Sequence, residues 1–376
     1  MNNKRDQAGN NPAAGGSPAG ASPERGIGIT EGCADLSLLI MITWKEEGEW
    51  YLYRALAERC RAVEILQPFR PRGVWARFLG RVSAGLASLC LPLRAVARRK
   101  RFDFVLSWSM RMGVWYGILN RVCGREGAPP HILRDFHVNL VRRDWRYRLR
   151  LRLLRFALPG IDGVLCTSRE EARLYAELFG IPPGRICFFP DVPPSQFLAM
   201  PPAEAVSDYV FAYGNSDRDF ETLIEAVRVL PLEVVILSQQ FAPSTPLPGN
   251  VRLLTETVSV DRLTDLIRSA RLVVLPLQHH DVAAGQNSML ETMALGRPLI
   301  VASNLATREY AQDGVSALYF PPGDALALRS VLQDAGARAA AMEAMGKRAH
   351  DGVKALLDDQ VALLCDILER WKPIRK

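Results

Sequence analysis

The chain has 376 residues, 48% of them hydrophobic and 23% charged, ordinary values for a folded protein of two or three domains. No run reaches the ~18 consecutive apolar residues that span a bilayer, and the N-terminus lacks a signal peptide's apolar centre. The seven cysteines, at 33, 60, 90, 123, 166, 187 and 365, include no Cys-x-x-Cys pair, and the five histidines show no ligand spacing. The sequence therefore argues against a disulfide framework or a metal site and for a reducing compartment, the cytoplasm. The net charge of +7 is uneven: residues 31–190 carry 27 Lys and Arg against 15 Asp and Glu, whereas residues 191–376 are net −6. A basic first half calls for an anionic partner such as a membrane surface, a lipid pyrophosphate or a polyanionic glycan.

In chain order, residues 1–30 are rich in Asn, Gly, Ala, Ser and Pro and read as a disordered tail. Leu36 to Ile42 reads as a buried strand, Glu49 to Cys60 as a helix and Ala62 to Leu66 as the next strand. Further strands are expected at Phe102 to Ser107, His131 to Phe136, Gly163 to Thr167 and Arg185 to Phe189, with a helix over Arg169 to Phe179 stopped by Gly180. Prolines 190, 193, 194, 201 and 202 then mark a linker that divides residues 31–195 from residues 196–351. The pattern restarts with strands at Tyr209 to Tyr213, Glu233 to Leu237, Leu272 to Leu277, Pro298 to Ala302 and Ala317 to Phe320, and helices near Phe220 to Val229 and Gly352 to Trp371. Alternating strands and helices argue for two α/β domains with parallel sheets.

The run Gly285-Gln286-Asn287-Ser288-Met289-Leu290-Glu291 follows a strand, opens with glycine and turns helical. The first N–H groups of such a helix have no partner within it, and its dipole favours negative charge there, so it is suited to phosphate. Glu291, about a turn and a half in, suits hydroxyls of a sugar or ribose, and the pair of features points to a nucleotide-sugar site. The plainer reading is an ordinary strand–turn–helix. Two basic segments stand apart: Arg142 to Arg155 holds seven arginines with Trp145, Tyr147 and four leucines, and the apolar Val82 to Val96 ends in Ala97-Arg98-Arg99-Lys100-Arg101. Arginines beside aromatic and aliphatic residues suit a helix lying in a lipid interface. A solvated arginine-rich face and, less favoured, nucleic-acid contact are the alternatives.

Leu290-Glu291-Thr292-Met293-Ala294-Leu295-Gly296-Arg297-Pro298 and Asp313-Gly314-Val315-Ser316-Ala317-Leu318-Tyr319-Phe320-Pro321-Pro322-Gly323-Asp324 resemble the donor-binding segments of glycosyltransferase family 4 (glycosyl transferases group 1) and its GT-B relatives. The first of the family's two glutamate positions holds Ala283, and its downstream lysine is not evident. The resemblance implies a GT-B fold: two Rossmann-like α/β/α domains facing each other across a cleft, with a last helix over residues 352–376 crossing back to the first. It implies transfer of a sugar from a nucleotide-diphosphate donor to a glycan or lipid-linked acceptor in polysaccharide or glycolipid biosynthesis, with retention and with neither cofactor nor required metal. The donor is expected to lie on Gly214 and Arg218, on Ser238 and Gln239, and on His279, Gly285, Gln286, Asn287, Ser288 and Glu291. His137, with Asp135 beside it, is expected to face the transferred sugar, so His137, Asp135 and Glu291 are the catalytic candidates. The loop Trp44-Lys45-Glu46-Glu47-Gly48 is placed on the acceptor side. A lipid-linked acceptor would put the basic domain in peripheral contact with the inner face of the cell membrane. A non-catalytic GT-B-like scaffold subunit of a glycan assembly complex, favoured by Ala283, and a sugar-nucleotide epimerase are the rival functions.

Overall fold

Runs such as Leu38–Met41, Leu272–Leu275 and Leu299–Ala302 are apolar and buried at every position, which suits strands covered by helices on both faces. The computed structural model describes residues 33–44, 50–68, 89–138, 144–202 and 207–372. The expected tail at 1–30, the loop residues 45–48, and residues 82–88 and 142–143 of the basic segments lie outside these. Two six-stranded parallel sheets emerge. The first joins β1 (Ser37–Met41), β2 (Ala62–Leu66), β3 (Phe104–Ser107), β4 (His131–Arg134), β5 (Gly163–Cys166) and β6 (Ile186–Phe188) in the order β2-β1-β3-β4-β5-β6. The second joins β7 (Val210–Tyr213), β8 (Val234–Leu237), β9 (Val251–Leu254), β10 (Leu272–Leu275), β11 (Leu299–Ala302) and β12 (Leu318–Phe320) in the order β12-β11-β10-β7-β8-β9. The strand order reverses between β1 and β3 and between β7 and β10, and ligands of such sheets bind beyond the strands' carboxyl ends at those points. These are the two Rossmann-like α/β lobes of a GT-B protein.

In the first lobe the helices are α1 (Tyr51–Arg59), α2 (described over 89–98), α3 (Met110–Val122), α4 (Trp145–Ala157) and α5 (Arg169–Phe179). The chain continues through α6 (Ser195–Leu198), α7 (Phe220–Val227), α8 (Val260–Ser269), α9 (Gln286–Ala294), α10 (Ala325–Ala337) and α11 (Ala339–Trp371). Ser168, Asp219, Ser259 and Asp324 each cap a helix by accepting a first-turn amide. Gly180, at φ 65°, ends α5 in the left-handed conformation, as its place in the sequence led us to expect.

The last helix departs from expectation. It begins at Ala339 rather than near Gly352 and runs unbroken for 33 residues, roughly 50 Å. Met342, Met345, Ala349 and Val353 pack into the second lobe's core, whereas Val361, Leu364, Cys365, Ile367 and Leu368 pack into the first lobe's. Gln360 Nε2 donates to the Pro190 carbonyl (2.8 Å) and Trp371 Nε1 to that of Gly184 (2.7 Å). The return of α11 also brings Cys365 to Cys33, and the two are joined as a disulfide. That corrects the sequence reading: a pair 332 residues apart leaves no spacing signal. Other bonds tie the lobes directly, among them Ser168 Oγ to the Leu305 carbonyl (2.6 Å) and the Arg169 amide to Glu309 (2.7 Å).

Leu368, fully buried in the first lobe's core, tests this arrangement. Leu368→Ala is expected to cost about 2–5 kcal/mol in urea denaturation, whereas Leu326→Ala, at a residue 71% exposed, stays within about 0.5 kcal/mol of wild type.

Candidate active site

A cavity of about 820 Å³ lies where the carboxyl ends of the two sheets meet. The first lobe contributes Asp135 and His137 from the loop after β4, Thr167 after β5 and Asp191 after β6. The second contributes Gly214 to Arg218 after β7, Gln240 after β8, and Gln278 with Val282 to Ser288 after β10. Two non-glycine residues of the described chain have positive φ, Asp135 (60°) and Asp217 (56°), and both line this cavity. Aspartate is among the few residue types that tolerate that conformation, and such outliers gather at functional sites.

The second lobe's wall is built for an anion. Gly285, at φ 90°, is the N-cap of α9 and offers no side-chain cap, so the leading amides of Gln286, Asn287 and Ser288 stand at the cavity without partners within the helix. Beneath them Arg218 is held in place: Nε donates to the Tyr213 carbonyl (2.8 Å), Nη1 to that of Ser216 (2.7 Å) and Nη2 to Ser288 Oγ (2.9 Å). The guanidinium lies across Gly214 so closely that a Cβ there would sit 2.6 Å from it. Burial lowers the Arg218 pKa, and the fields of Tyr213, Asp217 and Glu291 oppose that shift. Neither neighbouring aspartate forms an ion pair with Arg218 among the described residues: Asp217 faces His279, and Asp219 caps α7. Helix amides and a fixed cation converging on one spot can hold a diphosphate.

Glu291 lies one turn below the tip and is not on the cavity wall. Its carboxylate accepts from the Tyr213 hydroxyl (3.0 Å), which is also 2.8 Å from the Ser288 carbonyl. Burial raises its pKa, while the Tyr213 hydrogen bond and Arg218 act the other way. Ser238 and Gln239 are also off the wall: the Ser238 hydroxyl (2.9 Å) and the Gln239 amide (3.0 Å) both donate to Asn215 Oδ1, stitching the loop after β8 to the loop after β7. Gln240 reaches the cavity in their place. His279 stands behind the wall, its Nδ1 on Asp217 Oδ1, while Asp217 Oδ2 is buried without a partner among the described residues. At Ala283 the wall is apolar, with Val282 and Ala284 beside it.

On the opposite wall, His137 Nδ1 lies 3.0 Å from Glu171 Oε1. That hydrogen bond raises the His137 pKa against the opposing effect of burial, and Glu171, Asp135 and Asp217 add to it electrostatically. Burial raises the Asp135 pKa, which Arg134 counteracts. Arg134 pairs with Asp191 and lies over the Trp108 ring, 4.5 Å from its centroid. Sequence reasoning missed Thr167, Glu171, Asp191 and Asp217. The only signal for Glu171 was Ser168-x-x-Glu171, which reads as a helix start. Among the described residues no three His, Cys, Asp or Glu side chains are grouped as metal ligands.

Residues 45–191 match the family described as Glycosyl transferase 4-like domain, and residues 221–335 match Glycosyl transferases group 1. No curated protein matches the chain in sequence. Among solved structures it is similar to Anabaena HepE in complex with UDP (13% identity, 88% of this chain and 99% of that one, TM-score 0.61). It is similar also to sucrose-phosphate synthase from Thermosynechococcus elongatus (16% identity, 88% and 97%, TM-score 0.61). A third is a glycosyltransferase from Rickettsia africae (11% identity, 89% and 99%, TM-score 0.61). At such identities these structures speak for the fold, and the two family matches, one in each lobe, speak for descent. The chain belongs to the family 4-like, group 1 class of GT-B glycosyltransferases.

Proposed function

We propose that the chain transfers a sugar from a nucleoside diphosphate donor to a glycan or lipid-linked acceptor in polysaccharide or glycolipid assembly. The observation that carries this reading is the pairing of uncapped amides at the tip of α9 with the half-buried, tethered Arg218 guanidinium, set across the cavity from His137. As the glycosidic bond to phosphate breaks, negative charge grows on the departing diphosphate. Donors already fixed around that position stabilise it without having to reorganise. His137 would hydrogen-bond the transferred sugar, with Asp135 beside it. Glu291, reached below the tip, would accept from donor hydroxyls with the lone pairs that Tyr213 leaves. Retention without a required metal follows the family resemblance. HepE, solved with UDP and with UDP-glucose, supports a uridine nucleotide as the first donor to try.

Ala283 and its apolar surroundings favour a second reading, a GT-B-shaped subunit that binds a nucleotide sugar without turning it over. A screen of nucleotide sugars beginning with UDP-glucose separates the two. A true donor at ~100 times its dissociation constant adds about 2.7 kcal/mol to stability, and turnover releases nucleoside diphosphate, whereas a scaffold gains stability without release. Glu291→Gln is expected to weaken donor binding about 10–100-fold, the worth of a hydrogen bond to a charged group, with little change in melting temperature. Unchanged donor affinity would remove Glu291 from the site. His137→Ala is expected to slow turnover far more than it weakens donor binding.

The acceptor side carries the membrane proposal. On α4, Trp145 (64% exposed), Leu149 (49%), Leu153 (39%) and Phe156 (43%) face solvent, while Leu154 and Ala157 pack inward. Exposed arginines 146, 148, 150, 152 and 155 flank them. No helix of the described residues is long and apolar enough to cross a membrane, so the fit is to a helix lying at an anionic lipid surface, where each basic residue is worth ~1 kcal/mol. Flotation with phosphatidylglycerol-containing vesicles at low salt is expected to carry the protein to the top. The Trp145→Ser/Leu149→Ser pair should leave it at the bottom, and no flotation of the wild type would refute the contact.

A further inference from the structure

Glu171 is the third residue of α5, behind the N-cap Ser168. A glutamate there ordinarily folds back on the cap residue's own amide. Here it reaches inward and is 1% exposed. It accepts from Thr167 Oγ1 (3.2 Å) and the Tyr175 hydroxyl (2.9 Å), and its third contact is His137 Nδ1 at 3.0 Å. No lysine or arginine contacts it among the described residues, so His137 is the cation available to it. A buried carboxylate of this kind is stabilised by a partner that can carry charge.

The chemistry at the cavity follows from which nitrogen is engaged. With Nδ1–H given to Glu171, neutral His137 is fixed as one tautomer and Nε2 is the nitrogen left for a ligand. The network also touches the donor wall: Gln286 Nε2, in the first residue of α9, donates to Thr167 Oγ1 (3.2 Å), and the Tyr310 hydroxyl donates to the Thr167 carbonyl (3.0 Å). Thr167 therefore passes its own hydrogen to Glu171 while receiving one from the opposite lobe.

We propose that Glu171 is the positioning residue for His137, fixing its ring orientation, tautomer and charge, and that the Gln286–Thr167–Glu171 chain sets this arrangement against the donor helix. The proposal rests on the reading of His137 as facing the transferred sugar. The other acids facing His137 are Asp135 on its own loop and Asp217 across the cavity, and Glu171 itself is near Cys166, Tyr175 and Tyr310.

The test follows the histidine rings of the full chain by NMR, with His137→Ala identifying the His137 signal. In the wild type His137 should titrate above free histidine's ~6.5 and, when neutral, carry its proton on Nδ1. Glu171→Gln keeps the shape and removes the charge. It should move the titration to lower pH by about one pH unit, as loss of an adjacent opposite charge does, and populate the Nε2–H tautomer. Glu171→Asp, which keeps the charge and withdraws it by one methylene, should give a smaller shift and serves if the glutamine variant does not fold. An unchanged titration and tautomer in whichever variant folds overturns the proposal, whatever the activity. Release of UDP from UDP-glucose supplies a second arm: kcat should fall at least about tenfold in Glu171→Gln while KM stays within about twofold. A full shift in titration with undiminished turnover would instead remove His137 from the reaction, leaving its pairing with Glu171 intact.

Discussion

An α-helix starts with amides that its own carbonyls cannot reach, and five helices of the described residues give one of them to a serine or aspartate cap. The helix at Gln286 does not. Its N-cap is glycine, which supplies the backbone turn but no oxygen, and its leading residues open on the cavity between the lobes. Amides at such a tip are satisfied by water or by a ligand, and here Gly285 and Gln286 are half-buried and Asn287 is exposed. The protein reinforces rather than neutralises the positive field there by tethering Arg218 through three hydrogen bonds just below. The proposed preference for a diphosphate over a neutral ligand depends on that tip.

The surrounding fold holds two walls in register with it. One wall follows β7 and β10, the point where the second sheet reverses its order. The other follows β4 and β5. Because α11 contributes side chains to the cores of both lobes, the lobes share a structural member more rigid than a linker would be. The left-handed turns at Asp135 and Asp217 lie on opposite walls, so the backbone departs from its preferred conformations where the walls must present side chains to a ligand. Local conformational cost at a site is offset by packing elsewhere, here by two extensive parallel sheets.

Much of the fold was legible because fully buried strands read as short apolar runs. The strands at Ala62–Leu66 and Gly163–Cys166 and the helix Arg169–Phe179 stand within a residue of expectation. The strand Val251–Leu254 was not foreseen: it is an edge strand with Arg252 exposed, following a loop rich in proline and serine, and its pattern is diluted accordingly. Helix Met110–Val122 was missed because glycines 113 and 117 weaken its helical signal; both sit at tight contacts, where a Cβ would fall within 3 Å of a neighbour. At the site, the tip at Gly285 was visible because glycine before a helix has a local cause. Glu171 was not, since its partners come from residues up to 34 positions away in sequence. For the same reason Ser238 and Gln239 were placed at the wall, when the structure spends them on tethering Asn215.

Hydrogen exchange of backbone amides, measured with and without UDP, tests the central claim most directly. Bound diphosphate should slow exchange at Gln286, Asn287 and Ser288 and in the Gly214–Arg218 loop, with the rest of the second lobe little changed. Saturating UDP that leaves those amides exchanging as before, or that protects a surface elsewhere, would contradict the account.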